Sequence, residues 1–231
     1  MMHIFILTGA GISAESGIDT FRASDGLWEN HRIEDVATPE GFARNPKLVQ
    51  DFYDMRRAAA ARAQPNPAHQ ALARLAQAGR HRVTLVTQNV DDLHERGGSP
   101  DVIHMHGTLN GALCAACGHR WPAPATMSPK ADCPACGHPT ARPDIVWFGE
   151  IPYFMDRIDA ALSDADLFAA IGTSGQVYPA AGFVQAARGL GIPTVELNLE
   201  PTASGLFSRV IPGPAGQTVP LWVDELLTAP A

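Results

Sequence analysis

The stretch from His3 to Arg22 reads HIFILTGAGISAESGIDTFR, and it predicts the kind of fold that the chain adopts. Its apolar run, Ile4 to Leu7, indicates a buried parallel strand. Gly9, Gly11 and Ala14 then fit G-x-G-x-x-G/A, the spacing of a dinucleotide-binding turn. In such a turn small residues let the backbone approach a pyrophosphate, and the N-terminus of the following helix supplies N–H groups. Similar turns also occur without a ligand, so this turn alone leaves both interpretations open.

The amino-acid composition excludes several classes of protein. The chain has 231 residues, enough for one large domain with a small insertion, and its 45% hydrophobic content is that of a globular protein. A net charge of -7 with only two lysines argues against a nucleic-acid partner. No apolar run reaches membrane-spanning length, and the N-terminus lacks the basic segment of a signal peptide. We therefore expect a cytoplasmic, monomeric protein without membrane or nucleic-acid partners.

Strands and helices alternate along the chain. Further strands are predicted at 83–87, 102–107, 167–171 and 194–197, and later helices at 155–162, 179–190 and 220–228. This alternation predicts an α/β fold with a Rossmann-like, doubly wound parallel sheet. Two insertions are expected, a helical one at 37–62 and a zinc-ribbon module at 109–140. The segments 1–36, 63–108 and 141–231 would then form one discontinuous domain.

Four cysteines lie close together in the sequence. Cys114 and Cys117 form one C-x2-C pair, and Cys133 and Cys136 form a near-copy of it. The complete spacing, C-x2-C-x15-C-x2-C, is typical of a zinc ribbon. Four thiolates complete a tetrahedral shell and leave no position for water, so this site would be structural. The alternatives are that the cysteines form a redox pair or that their spacing arises by chance.

Polar residues follow several predicted strands, at the edge where open α/β sheets bind ligands. Asn89 and Asp91 follow strand 83–87, although Asn and Asp commonly just cap the next helix. His106 ends strand 102–107, where a lone histidine is more often structural than catalytic. His104 and His106 alternate, so we expect them on one face, with at least one meeting solvent or a ligand.

Tyr53 and Arg56 lie in the second of two helices predicted within 38–62. Residues three apart share one face of a helix, and here Arg56 is aligned with an apolar row. Arg56 either binds an anion or extends from the edge of that row to pair with Asp51 or Asp54. The residues themselves leave both alternatives open.

Taken in order, these motifs resemble those of the sirtuins, the NAD-dependent protein deacylases. The matching segments are GAGIS-x-ESGI-x-TFR (9–22), TQNVD (87–91), HMHG (104–107), the two cysteine pairs, VWFGE (146–150), GTS (172–174) and NLE (198–200). No single segment is decisive, but their order along nearly the whole chain is specific. Tyr53-x-x-Arg56 and the small Ala37 further resemble bacterial class III sirtuins, in which Tyr and Arg bind the carboxylate of succinyl-, malonyl- or glutaryl-lysine.

The resemblance implies a reaction, in which the acyl group of lysine is transferred to NAD and nicotinamide leaves. His106 would be the general base and Asn89 a second catalytic residue, with an acyl-lysine peptide bound as an added strand. The cofactors would be NAD and Zn²⁺, the latter held by the four cysteines. The residues implied to bind NAD are Gly9, Ala10, Gly11, Ser13, Phe21, Arg22, Gln88, Asn89, Asp91, Gly172, Thr173, Ser174, Asn198 and Glu200. The residues implied to bind acyl-lysine are Ala37, Tyr53, Arg56, Val146, Phe148, Gly149, Val177 and Tyr178.

Two other functions account for parts of the sequence. A nicotinamide-dependent dehydrogenase would explain the Gly-rich turn, but it leaves the cysteine pairs and the Tyr53/Arg56 pair unexplained. The acidic residue expected about 20 positions after such a turn is also not convincingly present. A non-catalytic zinc-ribbon regulator would explain the cysteines, but the acidic charge counts against DNA binding.

Overall fold

A computed structural model describes residues 1–18, 27–28 and 31–229. The strands are β1 (His3–Thr8), β2 (Leu27–Trp28), β3 (His31–Arg32), β4 (Arg82–Thr87), β5 (Val102–His104), β6 (Gly107–Cys114), β7 (Arg120–Pro122), β8 (Ala141–Ile145), β9 (Leu167–Ile171), β10 (Thr194–Asn198) and β11 (Arg209–Pro212). The α-helices are α1 (Ile33–Val36), α2 (Pro39–Arg44), α3 (Pro46–Arg62), α4 (Pro67–Gln77), α5 (Leu93–Arg96), α6 (Met155–Ser163), α7 (Phe183–Gly189) and α8 (Ala215–Thr228).

The central sheet has six strands in the order β11-β10-β9-β1-β4-β5. Every neighbouring pair in it is parallel. Side chains alternate along β1, so Ile4 and Ile6 pack on one face against α4 and α8, whereas Phe5 and Leu7 pack on the other against α6 and α7. The doubly wound α/β prediction is confirmed, with the core split into two layers around β1.

The two helices predicted within 38–62 are present as α2 and α3. The Thr38 side chain accepts a hydrogen bond from the Gly41 N–H at 3.0 Å, and Asn45 accepts from the Leu48 N–H at 3.1 Å. Each cap is followed by a proline at the first helical position, where its missing N–H costs nothing. Side chains on one side of α3 join those near β6 and β8 in a third hydrophobic cluster.

An antiparallel sheet of β7, β6 and β8 carries Cys114 at the end of β6, and the other three cysteines lie in or just before turns beside it. The sequence did not predict its strands, because they lack the alternation of apolar and polar residues. In β8 all five residues are buried, including Arg142 and Asp144. β8 starts at Ala141 and ends at Ile145, just before the VWFGE segment. The division of the chain into one domain and two insertions stays a prediction.

Several predicted boundaries are wrong. The strand expected at 102–107 ends at His104, and the chain turns through Met105 and His106. The last helix begins at Ala215 rather than 220 and carries Pro220 inside it. The helix expected at 179–190 is a 3-10 turn followed by α7. Among the described helices, none has the length and apolar character needed to cross a membrane.

Candidate active site

A cleft of about 630 Å³ opens at the carboxyl edge of the parallel sheet. Residues that follow all six strands line it, as expected for ligand binding in an open α/β fold. They include 9–11 after β1, 88–91 after β4, 172–174 after β9 and 198–200 after β10. Residues of α3 and of the chain after β8 also line it. One cleft therefore brings together parts of the sequence as far apart as Gly9 and Ala215.

Every described residue that the sequence assigned to NAD or acyl-lysine lines this cleft. Those predicted for NAD are Gly9, Ala10, Gly11, Ser13, Gln88, Asn89, Asp91, Gly172, Thr173, Ser174, Asn198 and Glu200. Those predicted for acyl-lysine are Ala37, Tyr53, Arg56, Val146, Phe148, Gly149, Val177 and Tyr178, and His106 lies among them. Phe21 and Arg22 lie outside the described residues. The sequence had not singled out Glu15, Ile18, Trp147, Glu150 or the chain at 213–215, which also line the cleft.

The Gly-rich turn packs differently from the prediction. Two 3-10 helices, Ala10–Ile12 and Ala14–Ser16, follow β1 where a longer helix was expected. The N–H groups of Gly9 and Gly11 donate to the carbonyls of Ile171 and Gly172 at 3.0 and 2.8 Å. A Cβ on Gly11 would lie 2.7 Å from the Gly172 Cα. These glycines thus serve the close packing of two turns, and the predicted helix N-terminus is absent.

A buried hydrogen-bond chain fixes Asn89. Its side-chain NH₂ donates to Ser13 Oγ at 3.1 Å, and Ser13 Oγ donates to Asp91 Oδ2 at 3.2 Å. Asp91 Oδ1 accepts from the Leu93 N–H at 3.1 Å, so Asp91 holds the chain just before α5 as well as lining the cleft, although the N-cap residue of α5 is Asp92. Burial raises the pKa of the Asp91 carboxyl. One N–H of the Asn89 amide is engaged in this way, and its other N–H and its side-chain carbonyl oxygen can make further hydrogen bonds.

The side chains of His104 and His106 lie in different surroundings, because the chain turns after β5. The ring nitrogens of His104 form hydrogen bonds with the backbone carbonyl oxygen of Asn89 at 3.0 Å and with Glu95 Oε1 at 2.7 Å. His104 is not among the residues that line the cleft. Burial alone would lower the pKa of His104, but its hydrogen bond to Glu95 and the Glu95 charge outweigh burial and raise it. The expectation that both rings share a face is therefore wrong.

His106 faces the cleft as a neutral base. Its Nδ1 lies 3.2 Å from the Gln88 carbonyl oxygen, and a carbonyl can only accept, so Nδ1 carries the proton. Burial lowers the pKa of His106 below its ordinary value of 6.5. Nε2 then keeps a free lone pair at neutral pH, which is the form that a general base requires.

Most of the residues predicted to bind acyl-lysine come from α3 and from the chain after β8. Tyr53 is fully buried and accepts a hydrogen bond from the Trp147 indole N–H at 3.0 Å. Burial raises the pKa of Tyr53 to about 12, so its hydroxyl stays protonated. Arg56 is 6% exposed and is the one Lys or Arg among the described lining residues. The two aspartates considered as its alternative partners bind other cations, Asp51 with Lys47 and Asp54 with Arg57.

The four cysteines meet outside the cleft, with all their sulfurs within 4.8 Å of one another. Cys114 Sγ lies 3.7 Å from Cys136 Sγ, and Cys117 Sγ lies 3.8 Å from Cys133 Sγ. A tetrahedral site with Zn–S bonds of about 2.3 Å places its sulfurs about 3.8 Å apart, whereas a disulfide needs about 2.05 Å. The cysteines are therefore positioned to bind one metal ion.

The comparison with known proteins assigns the family. Residues 9–179 match the Sir2 family. The chain belongs to the Sir2 family. A Caulobacter vibrioides protein named NAD-dependent protein deacylase is 56% identical over 233 residues, which cover 98% of each chain. An Escherichia coli K12 protein of the same name is 56% identical over 229 residues, which cover 97% of this chain and 82% of that protein.

Solved Sir2 structures share the fold. A Sir2 homologue in complex with NAD has a TM-score of 0.89 and 39% identity, covering 97% of this chain and 89% of that one. A Sir2 protein bound to a propionylated peptide has a TM-score of 0.81 and 28% identity, covering 98% and 94%. Family membership explains the Gly-rich turn and the cysteine pairs together, which neither the dehydrogenase nor the regulator hypothesis did.

Proposed function

We propose that this chain, an NAD-dependent protein deacylase of the Sir2 family, removes succinyl and malonyl groups as well as acetyl groups from protein lysines. One observation carries the finer part of the proposal, namely that Tyr53 and Arg56 both line the end of the cleft that α3 forms. An acetyl group offers them no partner. A succinyl or malonyl group ends in a carboxylate that both can bind.

The charges of the cleft support this assignment. Its described lining contains the acidic residues Glu15, Asp91, Glu150 and Glu200, against Arg56 as the one Lys or Arg. Within the described lining, Arg56 is thus the side chain that can pair its charge with a carboxylate. A guanidinium binds a carboxylate through two parallel hydrogen bonds, and a neutral Tyr53 hydroxyl adds a third without repelling the charge. Ala37 leaves room beside them.

NAD would bind the rest of the cleft, which small residues line, and His106 lies against Gln88 in the same cleft. The loops 9–13, 172–174 and 198–200 would hold it, with Asn89 and Asp91 next to the reacting end. When bound, NAD supplies the ribose that accepts the acyl group and releases nicotinamide. The part of His106 is to take a proton from a ribose hydroxyl at Nε2, while the Gln88 carbonyl holds Nδ1. Asn89, which Ser13 fixes, would orient the reacting end of NAD.

The acylated peptide would bind along residues 146–149, an added strand in the sense of β-augmentation. The N–H groups of Val146 and Phe148 donate to the carbonyls of His106 and Ala37, and the Trp147 N–H donates to Glu150. These three N–H groups are engaged, so the segment would pair with substrate through its carbonyl oxygens or the Gly149 N–H. Val177 and Tyr178 line the opposite side, with Tyr178 exposed. Because backbone groups would carry the affinity, selectivity for the surrounding sequence should be modest.

The reaction can be tested by its products. The protein is incubated with NAD and one peptide carrying acetyl-lysine or succinyl-lysine, and products are followed by mass spectrometry. We expect one nicotinamide and one O-acyl-ADP-ribose for each lysine freed, and none from the unmodified peptide. Free carboxylic acid released without NAD would contradict the proposed reaction. Turnover of acetyl-lysine alone would contradict only the assignment of Tyr53 and Arg56.

Removal of zinc is expected to abolish activity indirectly. The metal would bind away from the cleft, but α3 is tied to the cysteine-bearing module. Asp54 accepts from the Met127 N–H at 3.1 Å, and Arg57 pairs with Asp54 and donates to the Leu109 carbonyl. Unfolding of 109–140 would free this side of α3 and thus disturb Tyr53 and Arg56. The measurement is turnover and circular dichroism during chelation, with zinc added back as the control. Full activity of a metal-free, unfolded module would contradict the prediction.

A further inference from the structure

We propose that Trp147 is a positioning residue for acyl selectivity: its indole N–H holds the Tyr53 hydroxyl as an acceptor, so that the Tyr53 O–H is turned to donate to the acyl carboxylate. The inference rests on the proposed function, since it concerns the same acyl site. It concerns a contact between two residues that lie far apart in the sequence, in α3 and in the chain after β8.

The direction of the hydrogen bond follows from the chemistry of the two groups. The indole nitrogen of tryptophan is a donor only, so in the 3.0 Å contact the Tyr53 oxygen must accept. The hydroxyl proton of Tyr53 is therefore not in that bond, and it is donated to no residue in the described part of the chain. A phenolic O–H prefers the plane of its ring, which allows two positions. Trp147 occupies one side of the oxygen, so the proton takes the other.

The indole of Trp147 is itself held on several sides. The Arg142 guanidinium lies over the Trp147 ring, with Cζ 3.5 Å from the ring centroid. Glu150 binds Arg142 through both oxygens, at 2.6 and 2.8 Å, and its Oε2 also accepts from the Trp147 backbone N–H at 2.8 Å. Trp147 is 2% exposed and Arg142 7%. The plane of the indole, and with it the direction of its N–H, is thus fixed before any substrate binds.

The same arrangement keeps the electrostatics of the acyl end simple. Glu150 and Arg142 form a bidentate ion pair, so the group that holds Trp147 adds little net charge. Arg56 then supplies the attraction for an acyl carboxylate. Tyr53 supplies a neutral hydrogen-bond donor with a fixed orientation. Without the Trp147 N–H, the Tyr53 hydroxyl would rotate freely between its two positions. A carboxylated acyl group would lose an oriented donor, and an acetyl group would lose nothing of this kind.

A double-mutant cycle tests the proposal. Trp147→Phe, Tyr53→Phe and the double variant are compared with wild type for kcat and KM on one peptide carrying succinyl- or acetyl-lysine. We expect Tyr53→Phe to lower kcat/KM on succinyl-lysine about 10- to 100-fold, mainly through KM, as for a lost hydrogen bond to a charged group. Trp147→Phe should lower the succinyl-to-acetyl ratio about fivefold in the wild-type background and by less than about twofold when Tyr53 is already Phe.

The outcomes separate this inference from the proposed function. If Trp147→Phe lowers turnover by the same factor in both backgrounds and on both acyl groups, Trp147 only packs, and the positioning role is wrong. If Tyr53→Phe itself leaves succinyl-lysine turnover intact, the assignment of the acyl pocket fails instead.

A second measurement holds even if Trp147→Phe does not fold. In a ¹H–¹⁵N spectrum, one of the indole signals of the four tryptophans belongs to Trp147. Its proton should shift upfield in Tyr53→Phe, because the acceptor is lost. An unchanged set of indole signals in Tyr53→Phe would overturn the proposal.

Discussion

Replacing His106 with alanine is expected to lower turnover at least about a hundredfold on every acyl-lysine peptide, the range that the loss of a general base produces. The variant removes the Nε2 lone pair that faces the cleft, whereas Gln88 loses only a partner for its carbonyl oxygen. KM for the peptide should change much less than kcat, because His106 is not assigned to peptide binding. The measurement is nicotinamide release at saturating NAD and peptide.

His81→Ala provides the matched control for His106→Ala. His81 precedes β4 at the opposite edge of the sheet, where its ring bonds the Leu226 carbonyl at 3.1 Å. The control variant should retain turnover. If His106→Ala is indistinguishable from wild type, the assignment of the general base is wrong.

The pH dependence of turnover should report the same group. Burial lowers the pKa of His106 below 6.5, so the neutral, basic form already predominates at pH 7. We expect kcat/KM to be flat from about pH 7 upward and to fall only at a pH below the 6.5 of an ordinary imidazole, where His106 becomes protonated. A profile that still rises steeply between pH 7 and 8 would assign the essential base to another group.

Arg56→Met is expected to lower kcat/KM on succinyl-lysine by about a hundredfold, and that on acetyl-lysine far less. The substitution keeps a long apolar side chain on α3 but removes the guanidinium, and bidentate, charge-assisted hydrogen bonds are among the strongest single contacts in proteins. The selective loss should appear mainly in KM. Equal losses on both acyl groups would show that Arg56 is structural.

Arg62→Met controls for the removal of a positive charge from α3. Arg62 lies in the last turn of the same helix and is exposed, and it is not among the residues that line the cleft. The Arg62→Met variant should leave the succinyl-to-acetyl ratio of kcat/KM unchanged. A drop in that ratio similar to the one for Arg56→Met would indicate a general effect of charge rather than a contact at Arg56.

The sequence predicted what depends on local pattern. The apolar runs of β1, β4 and β9 are buried strands, and the Pro and Thr or Asn signals mark where α2 and α3 begin. The spacing of the cysteine pairs predicted their meeting, which the structure shows. Each of these features rests on residues close together in the chain, where propensity and periodicity are informative.

What the sequence did not predict depends on distant partners. In β8, Arg142 and Asp144 are buried because Glu150 binds the first while Arg120 and Tyr153 bind the second, so the segment does not read as an apolar strand. Gly9 and Gly11 of the first turn have no room for a Cβ, because the backbone of the turn at Gly172 packs directly against them. The contact between Trp147 and Tyr53 joins residues 94 positions apart. Such pairs become visible only when the fold brings them together.

The most direct test of the proposed function is to compare kcat/KM for one peptide carrying acetyl-, succinyl- or malonyl-lysine, with NAD present. We expect NAD-dependent deacylation of all three, with Arg56→Met suppressing the succinyl and malonyl reactions far more than the acetyl reaction. Turnover confined to acetyl-lysine, or unaffected by Arg56→Met on the carboxylated groups, would contradict it.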